Sequence, residues 1–325
     1  MNNDPAPFIR RFPKTKVLVI GDIMLDEYID GSADRISPEA PIPVLLQKSV
    51  RHCLGGAGNV AANVSALGGV VTLLGVVGKD AHANILKQLC RKEGIAPRFI
   101  IDRVRPTTTK IRFVSDHHQL VRIDIEEAKP IAPAIEGQLI RVISALPKHE
   151  IVVVSDYAKG CMTKKVMRAL RVRFGPNSII ADMKPVNARL YSGVRAITPN
   201  IKEAVALTSL HASTDEIADR VTKILADRLR TSVVLTRGEH GVTVRQKGAR
   251  RGTHFRADIL TVRDVTGAGD TLVAVFALMC ATGAPMLFAA ELANYAAGIV
   301  VGVGGTHALS RKTLEEHLVA GKHVA

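Results

Sequence analysis

The stretch Asp264-Val265-Thr266-Gly267-Ala268-Gly269-Asp270 opens an almost wholly apolar run, Leu272 to Ala281, which reads as a buried helix. Backbone N–H groups at a helix N-terminus lack intrahelical partners and carry the positive end of the peptide dipoles, so Gly267, Ala268 and Gly269 offer a bare cradle for an anion. A carboxylate one residue past such a cradle has a use if the anion is a transferring phosphoryl group and Asp270 takes a proton from the attacking hydroxyl. Taken alone, Gly-x-Gly-Asp is equally an aspartate stabilising its own helix N-terminus.

A second constellation is Gly55-Gly56-Ala57-Gly58-Asn59, running into Val60, Val64 and Leu67 at helical spacing. Paired glycines let a polyhydroxylated ligand approach the backbone, and Asn59 and Asn63 lie one turn apart on one face. The same glycines also suit close packing of a helix on a sheet. Asp22, just after an apolar strand, can accept hydrogen bonds from sugar hydroxyls or merely cap a turn.

These residues need a scaffold, and the apolar pattern supplies one. Short runs at Lys16–Gly21, Val70–Val77, Ile151–Ser155, Ser178–Ala181 and Val233–Thr236 read as buried parallel strands. Between them lie helix-period segments near 57–67, 80–93, 133–145, 163–174, 200–207 and 214–229. Such alternation predicts an α/β fold whose mostly parallel central sheet carries helices on both faces, with sites at the carboxyl ends of the strands. Asp22, Asp156, Asp182 and Arg237 each follow one of these strands. Residues 26–53 and 98–127 break the pattern: Gln119, Val121, Ile123 and Ile125 alternate against Leu120, Arg122, Asp124 and Glu126. They predict antiparallel strands inserted as a small β lid, with the whole chain one domain. Lys110 and Arg112 share a face of one lid strand with Thr108, placed either to clamp a remote phosphate or to face solvent.

Composition sets limits. The chain has 325 residues, 47% of them apolar, enough for a large core. No stretch reaches the ~20 apolar residues that span a bilayer, and Met1 to Pro13 lacks the order of a signal peptide, so a cytoplasmic protein without membrane contact is expected. The net charge of +14 is spread along the chain, and aromatics are only 4%, which argues against nucleic acid. Cys53, Cys90, Cys161 and Cys280 are too scattered for a metal site or a disulfide framework. Neither Gly-x-Gly-x-x-Gly nor a P-loop is present, so phosphate must be bound by another device.

Gly-Gly-Ala-Gly-Asn-Val-Ala-Ala-Asn (55–63) and Asp-Val-Thr-Gly-Ala-Gly-Asp (264–270) resemble the two signatures of the ribokinase, or PfkB, carbohydrate kinase family. Gly-Asp-Ile-Met-Leu-Asp (21–26), Arg-Ile-Ser-Pro-Glu-Ala-Pro (35–41), Ser-Asp-Tyr-Ala-Lys-Gly (155–160) and Thr-Pro-Asn-Ile-Lys-Glu (198–203) extend the likeness to the kinase half of ADP-heptose synthesis proteins. The resemblance spans roughly residues 14–315. It implies a ribokinase-like fold and an ATP-dependent kinase acting on the C1 hydroxyl of a heptose 7-phosphate. Asp270 would be the base and 267–269 the anion hole. Asn200, Ile201, Lys202 and Glu203 would form part of the Mg²⁺-ATP region, Glu203 reaching the metal through water. Thr236, Arg237, Gly238 and Gly241 would sit beside the nucleotide and Asn294 near the adenine. Asp22, Gly55, Gly56, Asn59, Asp156 and Lys184 would serve the sugar side. The resemblance also brings in a monovalent cation such as K⁺ and a homodimer joined through the lids. Where the family commonly has Asp-Pro-Lys, this chain has Asp182-Met183-Lys184. Bifunctional relatives carry a further domain with a His-x-Gly-His motif, absent from this sequence, so the reaction is expected to stop at the 1,7-bisphosphate. The alternatives are a kinase for another sugar or nucleoside, or a sugar-phosphate sensor without turnover.

Overall fold

A computed structural model describes residues 4–116, 118–257, 266–303 and 308–320. Asp264 and Val265 of the second signature lie outside the described residues. The strands, in chain order, are β1 (Lys16–Gly21), β2 (Ile23–Ile36), β3 (Pro43–Gly56), β4 (Val70–Gly78), β5 (Ala96–Asp102), β6 (Thr109–Ser115) and β7 (His118–Ile125). They continue with β8 (Ile151–Asp156), β9 (Ile179–Met183), β10 (Ala196–Ile197), β11 (Ser232–Thr236), β12 (Val242–Arg245) and β13 (Thr253–Phe255). The helices are α1 (Ala6–Ile9), α2 (Ala57–Ala66), α3 (Ala81–Lys92), α4 (Pro133–Ala145) and α5 (Lys164–Phe174), then α6 (Ile201–Thr208), α7 (Asp215–Leu229), α8 (Ala268–Ala281), α9 (Met286–Val303) and α10 (Arg311–Ala320).

Nine strands form the main sheet in the order β13-β12-β11-β10-β9-β8-β1-β4-β5. From β5 to β11 all neighbours are parallel, and β12 and β13 add an antiparallel edge. The inner parallel strands are apolar along both faces because helices cover both: in β1, Val17 and Val19 point into one core cluster with α2 and α8, Leu18 and Ile20 into the other with α4 and α5. The strand order reverses at β1, so a crevice opens beyond the carboxyl ends of β1 and β8. Gly21 and Asp156 end those two strands.

The remaining strands make a four-stranded sheet in the order β3-β2-β6-β7. Two expectations are corrected here. The inserted stretch beginning at 98 starts too early, because 98–102 belong to β5, paired in parallel with β4 in the main sheet. The small sheet is also mixed rather than antiparallel: β2 runs parallel to β6 while pairing antiparallel with β3. Alternation alone marks a half-buried strand and says nothing of its partner's direction. No described helix is long and apolar enough to cross a membrane.

Candidate active site

Gly267 caps the N-terminus of helix α8 with a φ of +83°, which suits glycine, and Asp270 lies in the helix's first turn. Gly269 is helical, yet a Cβ built on it would meet nothing within 4 Å. Glycine is therefore not required there by backbone or packing; its effect is to leave the space beside the N-terminal N–H groups open. Asn59 Nδ2 donates to Asp270 Oδ2 at 2.6 Å, and the Tyr157 hydroxyl stands 3.5 Å from Oδ1. Asn59, expected on the sugar, thus reaches the carboxylate itself. The other asparagine of that face, Asn63, accepts from Thr271 Oγ1 at 2.8 Å and locks α2 against α8.

Desolvation is the main cause that raises Asp270 to about 6; the Asn59 hydrogen bond opposes it and the charge of Asp26 adds to it. Asp270 in turn pushes the Tyr157 phenol well above its ordinary value, with burial second, so Tyr157 stays a proton donor. Asp26 was not singled out in the sequence, yet it faces this region. Its carboxylate receives Arg112 Nη1 at 2.5 Å, and any side chain on Gly55 would collide with it. Gly56 takes φ +54° as the chain turns into α2, and a side chain there would run into Asp22 O.

Beyond Asp270 lies a cluster of opposite charge. Lys184 Nζ donates to Glu203 Oε1 at 2.6 Å and sits 5.2 Å from the centre of the Tyr157 ring. Burial alone would lower this amine, but the hydrogen bond and charge of Glu203, with Asp182 and Asp270, raise it. Asp182 is raised to about 7 by desolvation first and then by Glu203 and Asp270. Asn200 caps α6: its side chain accepts from Glu203 N, and Glu203 Oε2 accepts from Asn200 N, both at 3.0 Å. Ile201 and Lys202 fill the same first turn. An isolated bridge pairs Asn200 with Thr236, which brings the 200–203 and 236–241 segments side by side. The turn there needs glycine at 238 (φ +60°) and at 241 (φ +74°), where a side chain would strike Phe255 O.

Several expected ligand residues are occupied by the protein. Asp22 accepts the backbone N–H groups of Tyr157, Lys159 and Cys161 at 2.8, 3.0 and 3.3 Å. Burial raises it to about 6 in spite of those bonds. Asp156 accepts from Tyr191 Oη, Asn187 Nδ2 and Ala158 N. Arg237 is 4% exposed and its guanidinium reaches Asp215 and Thr243. Asn294, on α9, donates to Arg256 O. Lys110 pairs with Asp124 at 3.0 Å and Glu126 at 3.7 Å. Tyr157, which lies inside the Ser-Asp-Tyr-Ala-Lys-Gly segment but was given no role there, is the addition with the clearest place at the site, directly after β8.

Taken together, the crevice holds a raised carboxylate, an open helix N-terminus and a lid above them. A protein-family comparison matches residues 14–313 to the pfkB family of carbohydrate kinases. The chain belongs to that family. Among curated relatives, the D-beta-D-heptose 7-phosphate kinase of Bordetella bronchiseptica is 38% identical over 315 residues, covering 97% of this chain and 98% of that one. The bifunctional protein HldE of Pseudomonas aeruginosa is 39% identical over 306 residues, which are 94% of this chain but 64% of that protein. The chain thus spans less than two thirds of the bifunctional relative. Among solved structures, phosphofructokinase-2 of Escherichia coli in complex with potassium superposes with a TM-score of 0.78 at 17% identity, covering 95% of this chain and 99% of that one. The ribokinase of Arabidopsis thaliana with ribose and ATP gives 0.72 at 21%, covering 94% and 98%. These two establish the ribokinase-like fold of this carbohydrate kinase.

Proposed function

We propose that this carbohydrate kinase transfers the γ-phosphoryl group of ATP to the anomeric C1 hydroxyl of D-glycero-β-D-manno-heptose 7-phosphate, giving the 1,7-bisphosphate and ADP. The placement of Asp270 carries the reading: a carboxylate raised by burial, oriented by Asn59 and Tyr157, at the mouth of an N–H cradle left open at Gly269. The full-length likeness to a heptose 7-phosphate kinase supports the sugar. In the step, Asp270 accepts the C1 hydroxyl proton as that oxygen bonds to phosphorus and the bond to the β-phosphate oxygen breaks. The N–H groups of 267–269 face the charge that develops on the transferring group. Removing one comparable donor costs roughly 3 kcal/mol in other enzymes.

Among the described residues, no three carboxylate, imidazole or thiolate groups converge on one point. That fits Mg²⁺, which keeps several waters and commonly binds one or two carboxylates plus substrate phosphates. Glu203, through water, and Asp182 are the oxygen donors placed for it; when bound, the metal would neutralise charge on the nucleotide phosphates. Lys184, between Glu203 and Asp270, is placed to follow the same charge. Arg112, Lys110 and Asp26 line the lid side, where the sugar and its remote phosphate would sit. A K⁺ requirement is part of the proposal, as is a cytoplasmic location.

The lid leaves Ile36, Ile42, Leu46, Leu120, Val121 and Ile123 exposed, between 41% and 68%. A sheet with such a surface is commonly covered by a copy of itself. We therefore expect a homodimer joined through the lids; light scattering showing an active monomer at micromolar concentration would refute it. The substrate is tested by ADP release across phosphorylated heptoses and hexoses, with mass spectrometry of the product. Preference for unphosphorylated ribose or for adenosine would overturn it.

A further inference from the structure

Arg105 lies in the segment that leads from β5 in the main sheet into β6 of the lid. Its guanidinium is only about a tenth exposed, and it donates to three backbone carbonyls: those of Glu127 and Lys129, where the chain leaves the lid, and that of Lys159. Lys159 belongs to the loop that follows β8 and carries Tyr157. The same two segments are joined twice more. Lys159 Nζ meets Glu126 Oε1 at 2.5 Å, and Ile131 N donates to Gly160 O at 3.1 Å. Gly160 takes φ +89°, and a side chain there would run into Lys129 O. On its inner side the loop hangs from Asp22 by the N–H groups of 157, 159 and 161.

We infer that Arg105 is a positioning residue that couples the lid to the catalytic loop, so that the seating of the lid sets the distance between Tyr157 and Asp270. The geometry requires arginine in particular. A planar fork serves acceptors on two segments at once, which one ammonium cannot do with the same directions. Asp102 holds the turn that aims it, accepting from Val104 N at 2.9 Å and Arg105 N at 3.4 Å. Glu126 carries the link into the lid, because Lys110 lies 3.7 Å from its other oxygen. A ligand that moves Lys110 therefore acts on Glu126, on Lys159 and on the loop bearing Tyr157. The 3.5 Å separation of Tyr157 from Asp270 leaves room to shorten, as catalytic hydrogen bonds commonly do when substrate binds.

The inference rests on Asp270 being the base, and its test separates the two. Hydrogen exchange is followed in Arg105→Lys and Arg105→Ala, with turnover measured in Arg105→Lys, Tyr157→Phe and their double variant. Loss of the fork should speed exchange at the amides of Tyr157, Lys159 and Cys161 on the order of tenfold, with β8 still protected. Adding guanidinium at a sub-denaturing concentration should restore that protection in the alanine variant. Turnover in Arg105→Lys should fall about tenfold to a hundredfold with the ATP KM unchanged, as expected for a small displacement near the chemistry. The double variant should be no slower than the slower single one, since both act through one contact. Unchanged exchange over 157–161, or losses that multiply in the double variant, would overturn the coupling. Exchange that rises throughout β8 in the alanine variant, without rescue by guanidinium, would show a purely structural role. A wild type that turns over no sugar phosphate would instead strike the proposed function and leave the exchange result standing.

Discussion

The main sheet and the lid are built from the same kind of strand but hold charge in opposite ways. Along β1 and β8 every residue from Val17 to Ile20 and from Ile151 to Val154 is at most 1% exposed, Asp22 beyond β1 is 4% exposed, and Asp182 on β9 and Asp270 on α8 lose water in the crevice beside them. Asp22, Asp182 and Asp270 are consequently raised, to about 6, 7 and 6. In the lid one face is open to solvent, and its charges are matched pairwise: Arg112 with Asp26, Lys110 with Asp124, Arg51 with Asp30. Asp124 is lowered although burial opposes it, because Lys110 and Arg122 bind its ionised form. A helix-covered parallel sheet thus supplies groups whose ionisation is tuned by lost water, while a one-sided sheet supplies charges that can exchange a protein partner for a ligand.

The sharpest way to break this contrast is at Asp270. Asp270→Asn keeps the shape and the cradle but cannot accept the proton, so turnover should fall by ~10²- to 10⁴-fold with nucleotide affinity little changed. Near-normal turnover in ADP-release assays, with enzyme free of wild type, would remove Asp270 from the mechanism. Next comes packing. Leu73 in β4 is wholly buried, so Leu73→Ala should cost about 2–5 kcal/mol in denaturant unfolding. Leu120→Ala, in the lid and 41% exposed, should stay within about 0.5 kcal/mol. Similar losses at both sites would mean the lid is as tightly packed as the core.

The same contrast explains what the sequence disclosed. The buried strands were legible as short β-branched runs, most of them followed by glycine or aspartate, and helices α2 to α7 because their apolar residues recur at helical spacing. Helix α9 was not, since it is apolar on nearly all sides and shows no stripe; β10, with two residues, is too short to carry a period. β5 was assigned to the lid because it alternates like a lid strand, whereas its partner β4 decides where it belongs. At the site, Asp270, Asn59 and the glycines were marked by chain-local motifs. Tyr157 and Asp26 lay inside quoted motifs without a role and Arg105 lay in none, because their roles come from segments far apart in the chain. Arg237 followed a strand as an active-site residue would, yet tertiary packing turned its guanidinium inward to Asp215.

Titration sharpens the comparison further, because activity and stability should move in opposite directions. Asp270 must be ionised to act, so kcat/KM should fall as pH drops through about 6, approaching tenfold per unit below it. For stability the sign is reversed. A carboxylate raised in the folded state binds more protons folded than unfolded between its ordinary value and its raised one. The contribution of Asp22, Asp182 and Asp270 is therefore largest near pH 4 and is lost as pH rises through about 6 to 7. Denaturant midpoints for Asp182→Asn should accordingly differ less from wild type at pH 5 than at pH 8. An acid limb of activity near 4 would show that Asp270 is not held in the desolvated state described.

The smallest effects belong to the lid pairs. Arg112 is tied to Asp26, and Lys110 to Asp124, at sites about one sixth exposed on the cation's side. Ion pairs of this kind contribute roughly 0–1 kcal/mol, so Lys110→Ala and Arg112→Ala should leave the unfolding midpoint almost unmoved. If these cations exchange their carboxylates for the remote phosphate of the sugar, each loses a charge-assisted bond worth about 1.5–3 kcal/mol in the bound state. Part of that is already offset by the pair given up, so the sugar KM should rise roughly tenfold rather than a hundredfold. The ATP KM should stay level, because Lys184, Glu203 and the cradle are untouched. Comparing each variant on the 7-phosphate and on the same heptose without it separates the roles. A KM that rises equally for both sugars would place Arg112 on the ring, through Asp26, and not on the phosphate. Loss of ATP affinity together with sugar affinity would mean the lid acts on the whole crevice, and the division between the two sheets would fail at the site itself.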